Sequence, residues 1–244
     1  MTYCVGLRLN KGLMFMSDTR TNAGVDNISV FRKMFTWEVP GERLITLMTA
    51  GNLATTQAVV SLLEEHTKAA SERNPSILDA PSMFQVATLV GKTLREVIAT
   101  ASETGQASES AFSASIVLGG QIVGGETRLF LIYPEGNFVE ASDDTPFFQI
   151  GETKYGRPIL VRAYDADMSF EEAAKLLLVS FDSTIKANIS VDLPLDMQTY
   201  ELGALQRGRE VRVEHDDPYY QEISSGWGDA LRAAFASLPG FNFY

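Results

Sequence analysis

The chain has 244 residues, 45% hydrophobic and 21% charged, with 20 Lys and Arg against 31 Asp and Glu for a net charge of −11. This balance excludes a disordered chain, a collagen-like chain and a disulfide-stapled miniprotein, and an acidic surface repels phosphate backbones and anionic lipid, so neither nucleic acid nor membrane is an expected partner. Cys4, the single cysteine, cannot form an internal disulfide and fits a reducing cytoplasm, Arg8 and Lys11 interrupt any apolar leader, and no membrane-spanning run of ~20 mostly apolar residues is expected.

Residues 2–9 alternate and are rich in strand formers, Asn10-Lys11-Gly12 reads as a tight turn, and residues 13–16 predict a second strand. Two further strands are expected over 31–39 and 44–49, separated by Pro40-Gly41. Asn52 then caps a helix whose Val59, Val60, Leu62 and Leu63 face inward. A second helix starts near Asp79 with Pro81 in its first turn. Met83, Val86, Val90, Leu94, Val97 and Ala101 recur along it at three- and four-residue steps.

Strands follow over 112–118, 129–133, 138–141 and 147–150, with Pro134-Glu135-Gly136-Asn137 as a turn and Gly119-Gly120 and Gly124-Gly125 as bends. Ser169 and Glu172 form a capping box ahead of Ala174, Leu177, Leu178 and Phe181. Val211 and Val213 suggest a late strand, and Ile223, Trp227, Leu231, Ala234 and Leu238 an amphipathic last helix. The aromatic tail, Phe241, Phe243 and Tyr244, is expected to dock on its own domain or on a neighbour. Segregated blocks of strands and helices, with no repeat or linker, predict an α+β class: one domain over 1–244 in which two antiparallel sheets stack with helices outside.

Chemistry can begin at Met1-Thr2, because a small second residue lets methionine aminopeptidase remove Met1 and free the Thr2 α-amine. Such an amine has a reference pKa of about 7.7–8.0, so part of it is neutral at pH 7 and able to take the proton of its own hydroxyl. Many chains begin this way without using it. Downstream, Lys33 could tune that amine, Asp18 could keep the lysine charged and aimed, and the Gly51 amide could hold an oxyanion at a helix N-terminus. Singly, each has a plain alternative: Asp18 caps a turn, Lys33 is solvated, Gly51 permits a bend. Cys4 reads as a small buried residue, and His215-Asp216-Asp217 as a solvated turn. No His/Cys/Asp cluster has metal-ligand spacing and no phosphate loop is present, so no metal or cofactor is expected; Asp192 and Asp196 are not assigned to a cation.

Together, Thr2, Asp18, Arg20, Lys33 and Ala50-Gly51 resemble the opening of a proteasome β-type subunit, an N-terminal nucleophile hydrolase. The likeness runs to about Val191, and Met1-Thr2 without a propeptide, with the long C-terminal third, is most similar to the bacterial Anbu (ancestral β subunit) subgroup. The resemblance implies a four-layer αββα sandwich. It implies Thr2 as nucleophile and base, Lys33 tuning it, Asp18 orienting Lys33, Arg20 supporting that aspartate, and Gly51 as oxyanion donor. Thr21, Asn22 and Gly51 would pair with an extended peptide or amide substrate, and Thr49 and Phe31 would line the pocket beside the scissile bond. Asp182 matches the family's supporting aspartate.

Two departures stand out: Glu152 in Gly151-Glu152-Thr153, and Ile185 in Asp182-Ser183-Thr184-Ile185, fall where the family has serines. The resemblance further implies a homo-oligomeric ring or open helical ring, with an unfoldase as a possible unknown partner. The expected function is therefore a threonine-type peptide or amide hydrolase working in that assembly. An amidase or acyl-transfer enzyme on a dedicated small substrate is the first alternative, and a catalytically silent ring subunit the second.

Overall fold

The computed structural model describes residues 2–22, 28–68, 75–104 and 109–243. The opening hairpin, β1 (Tyr3–Leu9) and β2 (Gly12–Asp18), leads into a short ribbon, β3 (Arg20–Asn22) and β4 (Ile28–Val30), and then β5 (Met34–Val39) and β6 (Arg43–Gly51). Helices α1 (Leu53–Lys68) and α2 (Met83–Thr104) pass through a 3-10 turn (Glu109–Phe112) into β7 (Ala114–Ile122), β8 (Arg128–Ile132), β9 (Phe138–Glu140) and β10 (Phe147–Gly151). The chain then forms α3 (Arg157–Ala163), α4 (Phe170–Ala187), β11 (Leu195–Glu201), β12 (Glu210–Val213) and α5 (Pro218–Ala236).

Two five-stranded antiparallel sheets carry the fold, in the orders β10-β1-β2-β11-β12 and β5-β6-β7-β8-β9. Between them lies an inner core that includes Cys4, Leu13, Phe15, Met48, Val117, Phe148 and Tyr200. α1 and α2 cover the outer face of the second sheet through Val59, Leu63, Val86, Val90 and Leu94, and α4 covers that of the first through Leu177 and Phe181. The result is the αββα sandwich expected from the order of elements. Central strands have both faces buried, so β2 is buried at every position instead of alternating.

Local signals hold where the chain itself sets the geometry. Asn52 Oδ1 accepts the Thr55 N–H at 3.1 Å, and Ser169 and Glu172 close both halves of the capping box at the start of α4. Differences arise where tertiary contacts decide. α2 begins at Met83, not near Asp79, because Ser82 rather than the earlier segment caps it, with its Oγ accepting the Gln85 N–H. Leu62 is 41% exposed rather than inward. Gly119 and Gly120 lie inside β7 instead of bending it; a Cβ on Gly119 would come within 2.8 Å of Phe15 from the facing sheet. The β3–β4 ribbon, α3 and β11 have no counterpart among the expected elements. Phe241 and Phe243 pack edge-on against each other yet stay exposed, so they do not dock on their own domain, and Tyr244 lies outside the described residues.

Candidate active site

Lys33 is carried by a non-strand segment threaded between the two sheets. The Phe31 N–H donates to the Thr19 carbonyl at the end of β2, and the Lys33 carbonyl accepts the Thr49 N–H from β6 at 3.0 Å. This brings the ammonium, with Lys33 only 4% exposed, to Asp18 Oδ1 at 2.8 Å and the Arg20 carbonyl at 2.6 Å. The same Asp18 oxygen accepts the Tyr3 N–H at 2.9 Å, tying the residue after Thr2 to the lysine's partner. Asp18 Oδ2 is buried and accepts no hydrogen bond within the described residues. Burial is the larger influence on this carboxyl and pushes it up to about 6, against the pull of Lys33.

Thr2 is fixed from the other side by the end of β10. Its carbonyl accepts the Glu152 N–H at 2.6 Å, and Gly151, at φ +84°, approaches so closely that a Cβ there would lie 1.9 Å from the Thr2 oxygen. Behind it, the Tyr3 hydroxyl joins Ser180 at 2.8 Å and accepts from Gln149 at 2.6 Å, which anchors β1 to α4 and β10. Burial pushes the Tyr3 phenol up to about 12, so it stays a neutral anchor.

Thr2, Thr21, Lys33, Thr49 and Gly51 line one cleft of about 440 Å³, together with Arg32, Phe35 and Leu53. The structure thus brings Thr2, Thr21, Lys33, Thr49 and Gly51 to one cleft, with Asp18 directly behind Lys33. Phe31 is not part of that lining. Gly51 closes β6 at φ +122°, where a Cβ would stand 2.4 Å from the carbonyl of Ser113, the residue before β7. Asn22 pairs with Ile28 in the ribbon beside Thr21. Met1 lies outside the described residues. Cys4 is buried, its thiol pushed upward by desolvation, consistent with a packing role.

Asp182 is elsewhere. It lines a separate cleft between α4 and α5, where the Tyr220 hydroxyl donates to its Oδ1 at 3.3 Å, and Ile185 packs against the core of the outer layer. The side chain that does reach the Gly151-Glu152-Thr153 segment is Asn188, just past the end of α4. Its Nδ2 donates to Glu152 Oε2 at 2.9 Å, and Glu152, 8% exposed, also accepts the Lys154 N–H through Oε1. The only sequence signal for Asn188 is an amide side chain where the apolar periodicity of α4 stops. Arg20 uses its side chain as well as its carbonyl, pairing with Asp192 at 2.6 Å, while Asp196 pairs with Arg212 at 2.8 Å, so both aspartates have guanidinium partners. Among the described residues no cluster of three metal-ligating side chains occurs.

A sandwich whose first strand follows a threonine, with a lysine, an aspartate and a glycine strand end gathered beside it, is the N-terminal nucleophile hydrolase fold. The chain belongs to the proteasome subunit family, whose model matches residues 2–192. β-Type members of that family are in general N-terminal threonine hydrolases that form oligomeric assemblies. Solved Anbu structures are similar over nearly the full length. Anbu (ancestral beta-subunit) from Yersinia bercovieri is 47% identical over 99% of this chain and 100% of its own, with a TM-score of 0.91. Anbu from Hyphomicrobium sp. strain MC1 is 49% identical over the same shares, also at 0.91. The helical assembly of the Anbu complex from Pseudomonas aeruginosa is 45% identical over 99% of this chain and 98% of that one, again at 0.91. Among curated proteins no match is found.

Proposed function

We propose that the chain is a threonine-type amide or peptide hydrolase that works in an assembly of its own copies, with Thr2 as nucleophile once Met1 is removed. The observation that carries this reading is the Lys33 ammonium, held between Asp18 and the Arg20 carbonyl in the wall of the cleft that Thr2 also lines. In the reaction, the freed α-amine takes the hydroxyl proton as Oγ bonds to the substrate carbonyl carbon. The Gly51 amide holds the oxyanion, and backbone of Thr21 and Asn22 pairs with an extended substrate. The amine then passes its proton to the leaving nitrogen as the C–N bond breaks, and water hydrolyses the ester to restore the hydroxyl. Arg20 acts as a positioning residue, its carbonyl on Lys33 and its side chain on Asp192.

Assembly is supported by the helical Anbu complex of Pseudomonas aeruginosa and by the exposed apolar end of α5. The buried Glu152–Asn188 pair behind Thr2 favours a narrow substrate range over general degradation, since this carboxylate occupies a position where the family has a serine. An epoxyketone, which bonds to hydroxyl and α-amine together, tests the nucleophile. Intact mass of processed, assembled protein should rise by one probe per chain and stay unchanged for Thr2→Ala. No adduct on processed protein overturns the reading. A fluorogenic peptide panel separates the two ranges, because turnover of unrelated sequences rejects the narrow one.

A further inference from the structure

Charge around the Thr2 cleft runs against the sign of the whole chain. The protein carries −11, yet the charged side chains lining the cleft, among the described residues, are Arg32 and Lys33, and no carboxylate is part of that lining. Lys33 is matched at 2.8 Å by Asp18. Arg32 is exposed and takes up no ion pair or hydrogen bond among the described residues. It also borders a neighbouring cleft that holds Glu64, Asp196 and Glu210. Asp196 is paired with Arg212 at 2.8 Å and Glu210 with Arg207 at 3.1 Å, so Glu64 is the one carboxylate there left facing the same cleft as Arg32, and no ion pair joins them. Among the described residues, one unmatched cation therefore stands at the wall of the cleft.

We propose that Arg32 makes this cleft select a substrate whose residue on the acyl side of the scissile bond bears a carboxylate. The location of that bond rests on the proposed role of Thr2, but the binding preference does not need turnover. Phe35 and Leu53 supply apolar surface for the stem of such a side chain, and the guanidinium supplies paired donors for its carboxylate. The acidic remainder of the molecule does not cancel this. With a Debye length of about 8 Å at physiological ionic strength, charges on distant faces are screened, whereas one lining the cleft is not.

Assembled Thr2→Ala protein, which binds without turning over, decides the matter with labelled, C-terminally amidated peptides that differ only in a final Glu, Gln or Lys. Fluorescence anisotropy at physiological salt should rank Glu above Gln by roughly five- to tenfold, with Lys weakest. Arg32→Gln should level Glu and Gln, and Arg32→Glu should move Lys to the top. Equal affinity for Glu and Gln, no measurable binding of the Glu peptide, or a Glu preference that survives Arg32→Gln in a variant that still assembles, each overturns the proposal. The epoxyketone reports on Thr2 separately. Adducts with no Glu preference reject the role of Arg32 alone, and a Glu preference without adducts rejects the hydrolase reading alone.

Discussion

At Asp18 the cost of burial outweighs the attraction of Lys33, which leaves the carboxyl at about 6 rather than at its ordinary 3.8. The sign follows from the charge. As pH falls through about 6 the carboxylate becomes neutral, and the Lys33 ammonium loses the counter-ion that holds it in the wall of the cleft. We expect kcat/KM to rise with pH through this region, ahead of any further rise as the amine itself deprotonates. Asp18→Asn should remove the lower step from the pH–rate profile and reduce kcat/KM by roughly 10²- to 10³-fold. An unchanged step near pH 6 in that variant would assign it to another group. A second residue-scale test concerns Glu152, a buried carboxylate whose side-chain partner is Asn188. Asn188→Ala leaves that carboxylate without its side-chain donor and should cost about 1–3 kcal/mol in urea denaturation. Adding Glu152→Gln should recover much of the loss, since a neutral amide is cheaper to leave there; additive losses would show that the pair is not coupled.

The junction between β6 and α1 carries a comparable test at the scale of an element. Gly51, at φ +122°, would push a Cβ to 2.4 Å from the Ser113 carbonyl, whereas Gly41, at φ +76°, has nothing within 4 Å. Gly41→Ala therefore pays backbone strain alone, and Gly51→Ala pays strain and also shifts β6 from β7. The first should lose about 1 kcal/mol and keep full epoxyketone labelling. The second should lose more in thermal unfolding and label markedly more slowly; equal behaviour of the two would mean that the close approach of β7 does not shape the cleft. This also marks what was legible in the sequence. Helix starts such as Asn52 and Ser169 were readable because the capping side chain lies within three residues of its target. The hairpin was readable from its tight turn and the helix pair from its apolar periodicity, whereas the grouping of Thr2, Asp18, Lys33 and Gly51 was readable through the resemblance to a proteasome β-type subunit. The β3–β4 ribbon, β11 and the partnership of Asn188 with Glu152 were not, since strands of three residues, or of mixed polarity wedged between β2 and β12, have no periodic signature. A contact across 36 positions leaves none either.

The whole molecule carries apolar surface that its own fold leaves uncovered. α5 is anchored at its start, where Tyr220 is buried and Ile223 packs on the outer core, but its distal half is not covered. Phe235 is 78% exposed, Phe241 79% and Phe243 93%, with Leu231 and Leu238 also exposed alongside them. So much aromatic surface in one region is unfavourable for an isolated protomer and fits an interface between copies. Acidic charge acts in the other direction. Copies at −11 repel, with a range of about 30 Å at 0.01 M salt that shrinks to about 8 Å at 0.15 M, so self-association should strengthen as salt is raised. Phe235→Glu with Leu238→Glu removes apolar surface from this end of the chain and adds two negative charges. In sedimentation velocity it should shift the protein toward protomers at every ionic strength, while circular dichroism stays unchanged because neither side chain supports the core. Assembly that weakens on adding salt would show that ion pairs hold the copies together. Assembly that survives the double substitution would place the interface on another face and leave the exposed end of α5 for a different partner.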